Sequence, residues 1–171
     1  GELCLADASD AAHSSVGDIV REYQAKYQHI VYKKIENKGI AANTNAAAEL
    51  ASGEYLALAD HDDILAPHAM YTMGRAIRQL REAGEPDGFL YNDAALFTKK
   101  IEKPLVAHFK PDYAPDYLLC CNYICHLAVF RRELFEQVGG ERPECDGSQD
   151  HDLFLRLIEQ VGGCLLYTSD A

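Results

Sequence analysis

The sequence predicts an α/β domain, a mainly parallel sheet with helices on both faces. Short apolar runs rich in β-branched and aromatic residues alternate with segments whose apolar residues recur at helical spacing. Parallel strands need a crossover, and the crossover is usually a helix. Two acidic clusters, "DASD" at Asp7 to Asp10 and "DHDD" at Asp60 to Asp63, fall at the ends of two apolar runs. Open sheets of this kind bind ligands beyond the carboxyl ends of their strands. The 171 residues, 48% hydrophobic and 25% charged, suit one folded domain with a real core.

"ELCLA" (Glu2 to Ala6) suits a buried strand that stops at the turn-forming "DASD". Val16 to Lys26 reads as a helix, with apolar residues Val16, Ile19, Val20, Tyr23 and Tyr27 at helical spacing, and "IVYKKI" as the next strand. "NKG" at Asn37 to Gly39 breaks the pattern. The alanine-rich stretch Ala41 to Ala51 is then a helix, followed by a strand at "YLALA", Tyr55 to Ala59. Pro67 fits a first helical turn. Met70, Met73, Ile77 and Leu80 form one face of that helix, and Gly84 closes it. "GFLYND" (Gly88 to Asp93) and "YICHLAVF" (Tyr123 to Phe130) read as strands, with Ala94 to Tyr117 between them mostly irregular. A connection of that length is usually functional. Arg132 to Val138 is a short helix. Gln149 to Val161 is the last helix, with Leu153, Phe154, Leu157, Ile158 and Val161 inward.

Acidic residues outnumber basic ones 27 to 16, and the net charge of -11 disfavours nucleic acid as a partner. A phosphorylated ligand would need a metal ion or backbone N–H groups. No run approaches the roughly 18 apolar residues of a membrane span, and "GELCLADASD" lacks the regions of a signal peptide. A cytoplasmic setting is expected, and peripheral attachment at the inner face of a membrane is compatible with it. The six cysteines show no Cys-x-x-Cys spacing, and Cys4, Cys121 and Cys125 read as reduced packing residues.

Asp60, Asp62 and Asp63 repel one another unless a cation neutralises them, and Mg²⁺ or Mn²⁺ prefers such oxygen ligands. If the strand continues through them, Asp60 and Asp62 point to one side and His61 to the other. The competing reading is a solvated turn whose acids cap the helix near Pro67, and placement directly after an apolar strand favours the metal. In "DGSQDHDLFLRL", at about 100° per residue, Asp150 shares a face with Leu157 while Asp152 turns toward solvent. A positioned carboxylate there could serve as a general base, and capping of the helix by Ser148 or Asp150 is an equal alternative. His61, His108, His126 and His151 lack zinc-ligand spacing and read as ordinary surface or core residues.

Taken together, "ELCLADAS", "NKGIAANTNAAAELASGEYLALADHDD", "HFKPDYAPDYLLCCNYICHLAVFRRELF" and "DGSQDHDLFLRL" resemble a bacterial family 2 glycosyltransferase of the GT-A fold, over nearly all of Glu2 to Gly162. The resemblance implies an inverting enzyme that moves a sugar from a nucleotide-diphospho-sugar donor to a glycan or lipid-linked acceptor, in bacterial surface polysaccharide synthesis, with Mn²⁺ or Mg²⁺. Within it Asp7 matches the acid that recognises the nucleotide base. Asp60 and Asp62 match the Asp-x-Asp pair, with Asp62 the direct metal ligand and Asp63 adjoining them on the donor side. Asp150 matches the catalytic base, preceded by Gln149, and Asn37, Gly39 and Asn43 match a segment beside the donor.

The pattern departs from the family in three places. Ala6 stands where the family has the first of two acids. The family's first, nucleotide-contacting strand would precede Gly1. "CLLYTSDA", Cys164 to Ala171, resembles a translated sequencing adapter rather than the family's next strand and metal-binding histidine. The expectation is a partial catalytic domain over residues 1–163, truncated at both ends, with a non-native tail over 164–171. Two rivals are a non-catalytic nucleotide-sugar or glycan binding module of the same fold, and a nucleotidyltransferase. The second is disfavoured because no Gly-rich basic loop is evident.

Overall fold

Strand β1 (Leu3–Asp7), helix α1 (Ser15–Gln24) and strand β2 (Ile30–Lys34) form a parallel crossover, with Leu3 opposite Ile30 and Asp7 opposite Lys34. The computed structural model describes residues 1–13, 15–97, 106–162 and 165–166. α1 buries only Gly17 and Val20. Val16, Ile19, Tyr23 and Tyr27, the rest of that apolar spacing, are exposed. A two-stranded ribbon is too narrow to cover the whole apolar face of a helix, and Tyr23 and Tyr27 instead stack on each other with ring centroids 6.4 Å apart.

The rest of the chain builds a second sheet. α2 (Ile40–Ala48) leads to β3 (Tyr55–Leu58), and α3 (Ala69–Ala83), closed by a left-handed Gly84, leads to β4 (Phe89–Tyr91). The segment expected to be irregular contains a small antiparallel pair, β5 (Ala94–Leu96) with β6 (Val106–His108), and runs into α4 (Pro115–Cys120). Its residues 98–105 lie outside the described residues. β7 (Ala128–Arg131), α5 (Arg132–Gln137), α6 (Gln149–Val161) and β8 (Leu165–Leu166) follow. Apart from 165–166, the tail suspected of being foreign lies outside the described residues.

The strand order is β3-β7-β4-β8. β4 is parallel to β8, while β7 is antiparallel to both β3 and β4, so three strands share a direction and one opposes them. The reversal of β7 is not visible in a four-residue apolar run, because such a run has no polarity of its own. β7 also starts later than expected. Tyr123 and Ile124 are buried from a loop, and a short apolar run looks the same whether it is a strand or a packed loop.

Alternation along the strands divides the core. Phe89, Tyr91, Ala128 and Phe130 pack with Phe135 of α5 and with Leu153, Phe154, Leu157 and Ile158 of α6, whereas Leu90 and Val129 pack on Met73 and Ala76 of α3. Helices therefore cover both faces, as the sequence predicts. Phe89 is the centre of the larger cluster, 5.3 Å from the ring of Phe154 and 5.8 Å, edge-on, from that of Phe130. Met70, one of the four residues expected on the inner face of α3, is exposed. No helix among the described residues is long and apolar enough to cross a membrane.

Opposite the rim that carries the acidic clusters, Asp87 is buried and joins three elements. Its carboxylate accepts from the Tyr55 hydroxyl (2.6 Å), Arg81 Nε (2.7 Å) and Arg131 Nη2 (2.6 Å). Burial and the neighbouring Asp87 push the Tyr55 hydroxyl up to about 12. Asp87→Ala strands a phenol and two half-exposed guanidiniums. The expected cost is about 2–3 kcal/mol, less than for a fully buried ion pair, measured by urea unfolding.

Candidate active site

Asp7 ends β1 and is buried. One carboxylate oxygen accepts from the Ser9 N–H (2.8 Å) and the Ser9 hydroxyl and faces Lys34 Nζ at 3.1 Å; the other accepts from the Tyr32 hydroxyl at 2.7 Å. Burial pushes this carboxyl up, but the bonds from Ser9, Tyr32 and Lys34 outweigh it and hold the group well below the usual carboxylate range. Asp7 is thus a fixed anion.

The segment before α2 braces itself. Asn37 Oδ1 accepts from the Gly39 N–H (3.2 Å) and from Asn43 Nδ2 (3.0 Å), and Asn43 Oδ1 accepts from the Lys38 N–H (3.2 Å). Gly39 has φ 101°, a conformation that favours glycine, and its missing Cβ leaves the space that the Asp146 carboxylate fills. Asp146 accepts from the N–H groups of Ile40 (3.1 Å) and Ala41 (2.8 Å), so the free donors at the start of α2 are taken by a carboxylate of the same chain. Nothing in the sequence marks Asp146 for this, because its partner lies more than a hundred residues away.

About one turn further on, Asn45 donates to the Glu141 carbonyl (2.8 Å) and accepts from the Glu141 N–H (2.8 Å). The Glu141 side chain is buried, and its Oε2 has no hydrogen-bond partner among the described residues. Burial pushes its carboxyl up to about 7, opposed by the nearby Thr44 hydroxyl and reinforced by Asp150, Asp146 and Asp60. The charges on the turn after β3, the loop before α6 and the first turn of α6 thus act on one buried group.

β3 stops at Leu58, so the alternation that would pair Asp60 with Asp62 does not apply. Residues 60–63 form a tight turn, closed by the Asp63 N–H donating to the Asp60 carbonyl at 3.2 Å. The turn brings Asp60 and Asp63 together with His126, their ligand atoms all within 4.8 Å of one another. His126 Nδ1 lies 3.3 Å from Asp60 Oδ2 and 3.9 Å from Asp63 Oδ2. Asp62 is exposed and is not in this group. His126, read from the sequence as an ordinary histidine, reaches the acids because it ends the loop that leads into β7. Two carboxylates and an imidazole suit a divalent first-row ion such as Mn²⁺.

Asp150 lies in the first turn of α6, half-buried above Leu153, Phe154 and Leu157. Asn122 Nδ2 donates to Asp150 Oδ2 at 2.7 Å, and the His151 N–H donates to Oδ1 at 2.9 Å. His151 Nε2 is 2.6 Å from the Leu118 carbonyl of α4, which fixes the start of the helix. Asp152, expected to turn toward solvent, is half-buried, with Arg156 Nη2 2.6 Å from its carboxylate. Asn122 was missed because an asparagine in a loop gives no sign of what it bonds. Of the cysteines, Cys121 was expected to pack but is exposed. Cys125 is half-buried, and its thiol is pushed up by burial, with Lys110 opposing and Asp150, Cys121 and Asp60 reinforcing.

A family model for "Glycosyl transferase family 2" matches residues 5–139. The chain belongs to that family. An uncharacterised protein of Sinorhizobium fredii is 38% identical over 162 residues, covering 94% of this chain and 17% of the relative. The O-antigen biosynthesis protein RfbC of Myxococcus xanthus is 34% identical over 158 residues, covering 92% and 12%. Among solved structures, S. aureus TarS 1-349 in complex with UDP-GlcNAc superposes with a TM-score of 0.73 at 14% identity, covering 99% of this chain and 48% of that one. The mannosyltransferase PcManGT of Pyrobaculum calidifontis, in complex with GDP-Man and Mn²⁺, gives 0.64 at 19% identity, covering 98% and 46%. This family 2 domain therefore spans less than a fifth of those two curated relatives and about half of the solved chains.

The raised carboxyl of Glu141 makes stability depend on pH. An unfolded chain releases this proton near 4.5 while the folded one keeps it up to about 7, so stability falls as pH rises through that interval and levels off above it. Glu141→Gln removes this contribution. Between pH 4.5 and 7 its Tm is expected to rise relative to wild type, compared side by side by thermal unfolding.

Proposed function

We propose that this domain catalyses inverting transfer of a sugar from a nucleotide-diphospho-sugar donor to a hydroxyl of a glycan or lipid-linked acceptor, as part of bacterial surface polysaccharide synthesis. The observation that carries it is the short loop from Asn122 to His126, which bonds Asp150 at one end and sets His126 beside Asp60 and Asp63 at the other, so that a positioned carboxylate and a cluster able to hold a cation flank one segment. TarS in complex with UDP-GlcNAc and PcManGT in complex with GDP-Man and Mn²⁺ share the fold, and RfbC is an O-antigen biosynthesis protein. These relatives support the donor class, the metal and the pathway type.

Asp60, Asp63 and His126 would hold the divalent ion, with Asp62 beside them on the exposed tip of the turn. When bound, the ion supplies positive charge to the donor's diphosphate. Asp150 accepts the acceptor hydroxyl's proton as that oxygen attacks the anomeric carbon from the face opposite the diphosphate, and the bond from that carbon to the diphosphate oxygen breaks, its electron pair leaving with the nucleoside diphosphate. Asn122 and the helix N–H hold the carboxylate's orientation, so the free lone pairs face the acceptor. Asp7, fixed as an anion by Ser9, Tyr32 and Lys34, is assigned to the nucleotide-base end of the donor. The braced Asn37, Gly39 and Asn43 segment sits on the donor side.

With a UDP-sugar and a dTDP-sugar as donors, Asp150→Asn is expected to lower transfer about 10²–10⁴-fold while leaving donor binding within a few-fold. Undiminished transfer would remove the base assignment. Asp60→Asn is expected to abolish Mn²⁺-dependent binding of UDP or dTDP, read by calorimetry. Binding that persists unchanged would remove the metal site from Asp60.

A further inference from the structure

Lys110 is a buried cation that the proposed chemistry leaves unused. It follows β6, is 5% exposed, and donates its Nζ to the carbonyl oxygens of Ile124 and His126, the latter at 3.0 Å. Its own N–H donates to Asp93 Oδ1 at 2.7 Å, which fixes where the side chain enters the core. Asp93 and Asp63 face the ammonium at longer range, as does the Cys125 thiol. Burying a charge costs stability unless its donors are used well, and a methionine would fill similar space without that cost. Here two of the ammonium's donors are directed at a single turn.

That turn, residues 122–126, carries both halves of the candidate site. Asn122 at one end bonds Asp150, and His126 at the other lies beside Asp60 and Asp63. Between them Cys125 adopts a left-handed conformation (φ 43°), its N–H donating to Asn122 Oδ1 at 3.3 Å and its thiol to the Asn122 carbonyl. The turn lies outside any strand or helix, so its shape depends on these local bonds and on the ammonium beneath it.

We propose that Lys110 is a positioning residue that fastens the turn from Asn122 to His126, and so keeps the imidazole at the metal corner and the amide at the candidate base in fixed relation. The proposal rests on the reading of Asp60, Asp63 and His126 as ligands of a divalent ion. Lys110 touches neither ion nor substrate. It acts through the carbonyl of His126, as outer partners of metal ligands commonly do, and loss of such a partner costs about 10–100-fold in affinity.

The test is Mn²⁺ affinity of the intact protein, with free Mn²⁺ followed by electron paramagnetic resonance and Tm recorded in parallel. Lys110→Met is expected to weaken Mn²⁺ binding about tenfold or more in the folded protein, a loss that a role in packing alone would not produce. Lys110→Arg keeps the charge but replaces one convergent nitrogen by a planar fork, and is expected to weaken binding several-fold. It decides the matter if the methionine variant does not fold. Wild-type affinity in the folded variant, with binding lost in Asp60→Asn, overturns the proposal alone. Absence of Mn²⁺ binding by the wild type, or its survival in Asp60→Asn, overturns the ion site and the proposal together.

Discussion

The candidate site depends on the attachment of α2 to the approach to α6. Asn45 reads both backbone groups of Glu141, and Asp146 occupies the first two N–H groups of α2. These bonds span about a hundred residues, and they join the crossover that carries Asp7 to the sheet that carries the other acids. Both are local in geometry and exacting in residue type. Gly39 must lack a Cβ for Asp146 to approach, and Gly140 must lack one beside Asn45. An amide that exchanges two hydrogen bonds with the backbone of one residue also fixes rotation, so α2 cannot turn about its axis without breaking them.

That attachment decides how negative charge is distributed. Asp146 is spent on the helix dipole, where a carboxylate is stabilising. Asp7 is spent on Ser9, Tyr32 and Lys34. Asp60 and Asp63 remain exposed, and Asp150 is half-buried with two donors. Glu141, buried among these acids with one oxygen unpartnered, keeps its proton up to about 7. The rim thus tolerates its charge by three different means: pairing, solvation and protonation. The exposed pair near His126 is the part that a cation would still stabilise.

The legible part of the fold was the part written as periodicity. α6 shows its inward face because four of its five marked positions are fully buried, and the alternation in "GFLYND" and the end of "YICHLAVF" divides the core between the two faces of the sheet as it should. Periodicity failed where it was not the deciding force. The stripe on α1 is apolar yet finds little sheet to cover, and Tyr123 and Ile124 are buried without being a strand. In the site, the acids were visible as clusters, but their grouping was not. A strand would pair Asp60 with Asp62, whereas a turn pairs Asp60 with Asp63, and only the end of β3 distinguishes the two. His126, Asn122, Asp146 and Lys110 gave no signal because each acts across a gap in sequence that one chain cannot bridge by pattern.

The two halves of the site also differ in what holds them. Asp150 stands on a thirteen-residue helix whose inner face is core, so its position is set by packing. Asp60 and Asp63 stand on a short exposed turn, where backbone bonding is sparse and side chains are free to reorient around a ligand. The proposed in-line attack needs the candidate base and the leaving group to keep a fixed relation, since misplacement by about an ångström can cost on the order of 10²-fold. A core-packed helix and an exposed turn do not provide that by themselves. The loop from Asn122 to His126 touches both, bonding Asp150 at one end and lying beside Asp60 and Asp63 at the other. Its attachment from the core side accompanies a left-handed residue, an amide bonded to Asp150 and two carbonyls turned toward a buried ammonium, all within one short segment.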